Sequence, residues 1–97
     1  MRIIALSTLR AFWGKYPDSE LPLRAWYALA SRAKWNRPAD IKAAYRNASF
    51  TANNRVVFNV KGNDYRLVVA VRYDLELMYV RFVGTHRQYD KIDVETI

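Results

Sequence analysis

The chain has 97 residues, 52% of them hydrophobic and 14% aromatic, with a formal net charge of +7 at pH 7. This length suits a single domain, residues 1–97, and the apolar content excludes a disordered chain. With no cysteine and one histidine, disulfides and cysteine zinc sites are excluded, and we expect no metal or other cofactor. No apolar run reaches the roughly 18 residues of a membrane span, so we expect a cytoplasmic protein with no membrane partner.

The positive charge is concentrated in the middle of the chain. Residues 21–63 contain eight Lys and Arg against one acidic residue, Asp40, whereas the rest of the chain is balanced. Such a segment favours a surface that faces a polyanion such as nucleic acid. A solvated helix face and a surface for an acidic protein are the alternatives.

The chain is predicted to begin with a strand and a helix. Residues 2–6 form a short apolar, β-branched run that is typical of a strand, and the basic start lacks the features of a signal peptide. A helix is predicted from Ser7 or Thr8 to about Lys15, where Pro17 follows. Its buried side chains are predicted to be Leu9, Phe12 and Trp13.

A second helix is predicted from about Glu20 to Lys34, because apolar residues recur there at spacings of three and four. Those expected to face the core are Trp26, Leu29, Ala30 and Ala33. A short third helix is predicted at 39–45. Trp35 is expected to be the most exposed of the three tryptophans, since it lies between Lys34 and Asn36.

The second half of the chain is predicted to be extended. Strands at 55–60, 65–73 and 77–83 are separated by turns, the first of which is K-G-N-D at 61–64, and they form an antiparallel meander. Residues 2–6 are expected to pair beside them. The sequence therefore predicts an α+β fold in which two N-terminal helices pack on one face of an antiparallel sheet, with a short helical turn after the last strand.

Five residues could support metal-free cleavage of RNA. Histidine is the one residue type whose unperturbed side-chain pKa lies near neutrality, so His86 could act as base or acid. Arg66 and Arg87 offer planar forks suited to phosphate. Tyr89 could stack on a base or take part in proton transfer, and Lys61 could hold the RNA backbone.

Each of these residues also has a structural interpretation. His86 could cap or pack rather than react, and Tyr89 could belong to the core. The strand arginines could pair with carboxylates on a solvated face, and Asp90 could complement a helix start or orient His86. The residues themselves leave both interpretations open.

Two motifs carry a family resemblance. The stretch V-F-N-V-x-G-N-x-Y-R-L spans Val57 to Leu67, and G-T-H-x-x-Y-D spans Gly84 to Asp90. With them, the chain resembles over nearly its whole length the HigB-type toxins of type II toxin–antitoxin modules, within the RelE-like superfamily.

The resemblance implies a RelE-like fold and an mRNA interferase that cleaves message in the A site of the 70S ribosome without a metal. It also implies inhibition by a HigA-like helix-turn-helix antitoxin. Arg66, His86 and Tyr89 match positions that relatives use for catalysis. One departure is that Val57 and Asn59 lie where many RelE relatives carry lysines, and Lys61 is the nearest basic substitute.

We therefore predict that His86, Arg66 and Tyr89 are catalytic. The residues expected to bind RNA are Lys61, Arg87, Lys91, Arg55 and Arg46. The main alternative is a basic RNA- or ribosome-binding module without catalysis. A purely structural protein–protein domain fits the composition but leaves the charged middle segment and the Gly84–Asp90 cluster unexplained.

Overall fold

The computed structural model describes all 97 residues and has four α-helices and five β-strands. In chain order they are β1 (Arg2–Ile4), α1 (Leu6–Lys15), α2 (Glu20–Arg32), α3 (Pro38–Ala44), β2 (Ser49–Thr51), β3 (Arg55–Val60), β4 (Tyr65–Arg72), β5 (Leu77–Thr85) and α4 (His86–Tyr89). The predicted α+β class is confirmed. None of the helices has the length and apolar character needed to cross a membrane.

The five strands form one sheet in the order β1-β5-β4-β3-β2. Strands β2 to β5 pair antiparallel with their neighbours in the chain, as the predicted meander requires. Strand β1, however, runs parallel to β5, so the sheet is mixed rather than wholly antiparallel as expected. Parallel neighbours need a long crossover connection, and the chain from α1 to β4 supplies it.

Strand β2 has no counterpart in the sequence-based prediction. It contains only Ser49, Phe50 and Thr51, and a tight turn joins it to β3. In that turn Asn53 and Asn54 have φ angles of 60° and 57°, a left-handed conformation that asparagine tolerates better than most residues. Three residues are too few for an alternating pattern to be detected.

The N-terminal helices cover one face of the sheet. Their buried side chains are Leu9, Phe12 and Trp13 of α1, Leu23, Trp26 and Ala30 of α2, and Ile41 of α3. The strand side chains of the same core are Val56, Phe58, Val60, Tyr65, Leu67, Val69, Val71 and Met78. Because strand side chains alternate between faces, the residues between them, including Arg66, point to the opposite face.

Two core predictions in the helical half are wrong. Leu29 is 45% exposed, because the buried stripe of α2 runs through Leu23, Trp26 and Ala30 instead. Trp35 is only 5% exposed. The chain becomes extended after α2, and this conformation points the Trp35 ring into the core. There it packs edge-on against Tyr45, with 6.3 Å between the ring centroids.

Residues 90–97, called here the C-terminal segment, lie near the sheet face opposite the helices, where they contact β3. Arg55 on β3 donates from Nε and Nη2 to the main-chain oxygen of Ile97, at 3.1 and 2.5 Å. Val57 and Val68 are buried on this face although the helices lie on the other one.

Candidate active site

The site lies on the sheet face that the helices leave free, where β4 begins and β5 ends. Arg66, the second residue of β4, pairs across the ladder with Gly84 of β5. Its Nη1 donates to the main-chain oxygens of Asn63 at 2.9 Å and Tyr65 at 3.2 Å. These bonds use one end of the guanidinium group. The Nε and Nη2 donors remain available for a ligand.

Arg66 and Tyr89 lie together, although 23 positions separate them in the sequence. The central carbon of the Arg66 guanidinium group lies 5.9 Å from the centroid of the Tyr89 ring, a cation–π arrangement. The other neighbour of this ring is Phe82, at 6.4 Å between centroids. An aromatic face and a planar cation are thus presented side by side.

Helix α4 is fixed at its start by a capping box. The hydroxyl of Thr85 accepts from the amide of Gln88 at 3.2 Å, and the Gln88 side chain accepts from the amide of Thr85 at 2.9 Å. The sequence T-H-R-Q matches the Ser/Thr-x-x-Glu/Gln signature of such a cap, which was a signal that sequence reasoning missed. The amide of His86 also donates to the main-chain oxygen of Asp64, at 3.2 Å, and so ties α4 to the β3–β4 turn.

The His86 side chain is 55% exposed, with its Nε2 3.8 Å from Oδ1 of Asp90. That distance is too long for a hydrogen bond. Asp90 follows the helix rather than starting it, so it does not serve as a charge at the helix start. No hydrogen bond or ion pair joins His86 to Arg66. Within α4, His86 precedes Tyr89 by three positions, so the two side chains lie toward the same side of the helix.

The ammonium group of Lys61 forms ion pairs with two carboxylates. Its Nζ lies 2.6 Å from Oδ2 of Asp18 and 3.6 Å from Oδ2 of Asp64. The hydroxyl of Tyr65 donates to the other oxygen of Asp18. Sequence reasoning missed Asp18 and Tyr65, because 43 and 47 positions separate Asp18 from its two partners.

These contacts change the acidities of all three groups. The hydrogen bond from Lys61, and after it the one from Tyr65, lowers the pKa of Asp18 below its ordinary value. The bond to Asp18 raises the pKa of Lys61. The hydrogen bond to Asp18 also raises the pKa of Tyr65, because the hydroxyl must keep its proton to donate, and burial adds to the effect.

The other predicted RNA-binding residues lie on several different elements. Arg87 and Lys91 are exposed, within and just after α4, and form no ion pair. Arg46 is exposed after α3 and lines a shallow pocket together with Asn59. Arg55 is half-buried, and its guanidinium group donates hydrogen bonds to the main-chain oxygen of Ile97.

The charged middle of the chain does not form one continuous face. Arg24 pairs with Glu20 and stacks on Trp13, and Arg37 pairs with Asp40. These arginines belong to the helical layer, on the side of the sheet opposite Arg66. No three of the His, Asp and Glu side chains come together in a group that could hold a metal ion.

Comparison with known proteins places the chain in a family. Residues 19–92 match the HigB_toxin family, described as the RelE-like toxic component of a toxin–antitoxin system. The chain therefore belongs to this family of toxins, and the predicted resemblance is confirmed. The match includes all eight predicted site residues, whereas Asp18 lies one position before it.

The relatives described here are all named as HigB mRNA interferases. The mRNA interferase toxin HigB of Escherichia coli K12 is 29% identical over 92 residues, which cover 93% of this chain and 88% of the relative. The mRNA interferase HigB of Shigella flexneri has the same identity and coverage. The mRNA interferase HigB of Escherichia coli O6:H1 is 26% identical over 94 residues, or 95% of this chain and 91% of the relative.

Proposed function

We propose that this protein is an endoribonuclease toxin, an mRNA interferase that cleaves message in the ribosomal A site. Membership of the toxin family and the names of the relatives support this reading. The observation that carries it is the Arg66 guanidinium group over the ring of Tyr89, a residue of the short helix that begins with the exposed His86. A planar donor that can stabilise charge on the phosphoryl oxygens and an imidazole that can transfer a proton suit cleavage of a phosphodiester, and an aromatic ring can hold a nucleotide by stacking.

In the proposed reaction the 2′-hydroxyl of the message attacks the adjacent phosphorus. The hydroxyl proton is lost, the bond from phosphorus to the 5′-oxygen breaks, and that oxygen gains a proton, which leaves a cyclic phosphate and a 5′-hydroxyl. His86 moves a proton. The free Nε and Nη2 donors of Arg66 stabilise the charge on the phosphoryl oxygens, and Tyr89 stacks on a nucleotide.

The remaining cations are proposed to hold RNA. Arg87 offers a second fork next to His86, and Lys91 and Arg46 would contact the backbone of the message or of ribosomal RNA, without base specificity. Arg55 would do so only after its guanidinium group releases the main-chain oxygen of Ile97. The ribosome would hold the message in a reactive conformation, and such positioning can supply a large part of the rate.

A toxin of this family has an antitoxin as its partner. We propose that the antitoxin here is a HigA-like helix-turn-helix protein, and that the toxin acts on mRNA bound to ribosomes in the cytoplasm. In the proposed RelE-like arrangement, α1 and α2 form a supporting layer behind the sheet, and the site faces the ribosome from the other side.

Mapping the 5′ ends of messages after brief expression tests this function. We expect new ends with the wild-type protein and at least tenfold fewer with His86→Ala, Arg66→Ala or Tyr89→Ala, a loss typical of removing a proton-transfer or charge-stabilising group. Arg72→Ala is the matched control, because Arg72 lies on the same strand and face as Arg66 but at the other end. In a purified translation system, cleavage should require ribosomes.

Two results would count against the proposal. If all three alanine variants cleave like the wild type, the site is wrongly assigned. Growth arrest with no new 5′ ends would instead favour the non-catalytic RNA- or ribosome-binding module.

A further inference from the structure

A single carboxylate connects the helical layer to the β3–β4 turn. Asp18 lies in the short 3-10 turn Pro17–Ser19 between α1 and α2. It accepts hydrogen bonds from Nζ of Lys61 at 2.6 Å and from the hydroxyl of Tyr65. Lys61 is the first residue of the turn 61–64 and Tyr65 directly follows the turn, so Asp18 fixes it at both ends.

This turn carries the main-chain oxygens that hold the site. The oxygen of Asn63 accepts from Nη1 of Arg66, and the oxygen of Asp64 accepts from the amide of His86. A shift of the turn would therefore move an end of the guanidinium group and the first residue of α4 together. Lys61 itself has a left-handed φ of 53°, so this turn also depends on an unusual backbone conformation that a neighbour must support.

Tyr65 provides a second connection to the same site. It directly precedes Arg66, and the two side chains point to opposite faces of the sheet. The Tyr65 ring lies among the core aromatics, edge-on to Phe12 at 5.3 Å and to Tyr16 at 5.7 Å. With its ring packed and its hydroxyl bound to Asp18, Tyr65 fixes the backbone from which Arg66 projects.

From these contacts we propose that Asp18, Lys61 and Tyr65 form a positioning cluster that holds Arg66 and His86 in the arrangement needed for RNA cleavage. The inference rests on the proposed function. It gives Lys61 a partner other than RNA: its ammonium group acts on Asp18 and on the turn, not on a phosphate of the message. None of the three residues touches the reacting atoms.

Positioning and RNA contact predict opposite results for one substitution. Asp18→Ala releases Lys61 and removes a negative charge. If Lys61 binds RNA, this variant should bind the ribosome-bound message more tightly and show a lower KM. If the cluster positions the site, kcat should fall about ten- to hundredfold, as a displacement of about 1 Å of the reacting groups causes, with KM within about twofold of the wild type.

The experiment measures kcat and KM for cleavage of ribosome-bound message by the full-length protein. Lys61→Met keeps the length of the side chain without its charge and should lower kcat like Asp18→Ala. The double variant should be no worse than Asp18→Ala alone, because that substitution already removes the contact that Lys61→Met breaks. Asp74→Ala is the matched control: it also removes an exposed carboxylate paired with a basic side chain, Arg72 at 3.0 Å, and should keep the wild-type kcat.

A measurement without catalysis separates this inference from the proposed function. Hydrogen exchange of the His86 amide, followed by NMR, should be faster in Asp18→Ala than in Asp74→Ala, at temperatures equally far below the Tm of each variant. If the wild type cleaves nothing, the proposed function fails, and the exchange rate still decides whether Asp18 holds α4. A wild-type kcat with a lower KM in Asp18→Ala, or unchanged exchange at His86, would overturn the positioning cluster.

Discussion

The two glycines Gly84 and Gly14 should respond in opposite ways to substitution by alanine. A methyl group on Gly84 would lie 2.7 Å from Oε1 of Gln88 and closer still to Cζ of Phe82. Relief requires movement of one of two side chains that are already engaged. The Gln88 oxygen accepts the amide of Thr85 in the capping box, and the Phe82 ring packs against Tyr89.

The expected cost follows from these contacts. Overpacking of this kind costs about 1–3 kcal/mol, which for a domain of this size lowers the Tm by roughly 5–20 °C. A methyl group on Gly14, near the end of α1, has no atom within 4 Å outside its own helix. Gly14→Ala should therefore stabilise the protein by about 0.5–1 kcal/mol, because alanine loses less backbone entropy in a helix.

Thermal and urea unfolding, followed by circular dichroism, measure both effects. Gly84→Ala is expected to displace the cap of α4. In this variant the amide hydrogen of His86 should therefore exchange with solvent faster than the amide hydrogens of the sheet. The reasoning is refuted if Gly84→Ala unfolds at the same midpoint as the wild type, or if the two alanine variants shift the midpoint in the same direction.

Three further predictions concern the site, the pH dependence and the core. Arg66→Lys keeps the charge but not the planar fork, and should lower the rate of message cleavage about 10²–10³-fold, whereas Arg72→Lys should stay near the wild-type rate; equal rates would remove Arg66 from the site. Because Lys61 lowers the pKa of Asp18 in the folded state, this contact stabilises the fold above the unfolded pKa of about 4 and is lost as the pH falls through the lower folded value. The difference in unfolding free energy between wild type and Asp18→Asn should thus be constant from about pH 5 to 9 and shrink below about pH 4, and a difference that grows toward low pH would contradict it. Trp35→Ala should cost about 3–5 kcal/mol, measured by urea unfolding, and a loss below about 1 kcal/mol would mean that the ring is not a core residue.

Local patterns in the sequence were sufficient for most of the elements. The β-branched runs around Val56 and Val68 and the K-G-N-D turn predicted the strands β3 and β4, because alternation and turn residues are local properties. The periodicity of α1 predicted its buried residues correctly. The prediction for Leu29 was wrong because several stripes on α2 are apolar, and only packing against the sheet decides which one is buried.

The candidate site shows the same division. The sequence identified Arg66, His86 and Tyr89 by their chemistry and by the two family motifs, since residue type and short spacing are properties of the chain itself. Only the tertiary structure placed the Arg66 guanidinium group over the Tyr89 ring and paired Lys61 with Asp18. Contacts between residues so far apart in the chain depend on strand order, on register and on which element crosses which face, and no local pattern encodes these. For that reason the sequence alone determined the kind of protein and the candidate residues of its site, and the fold decided which of those residues meet.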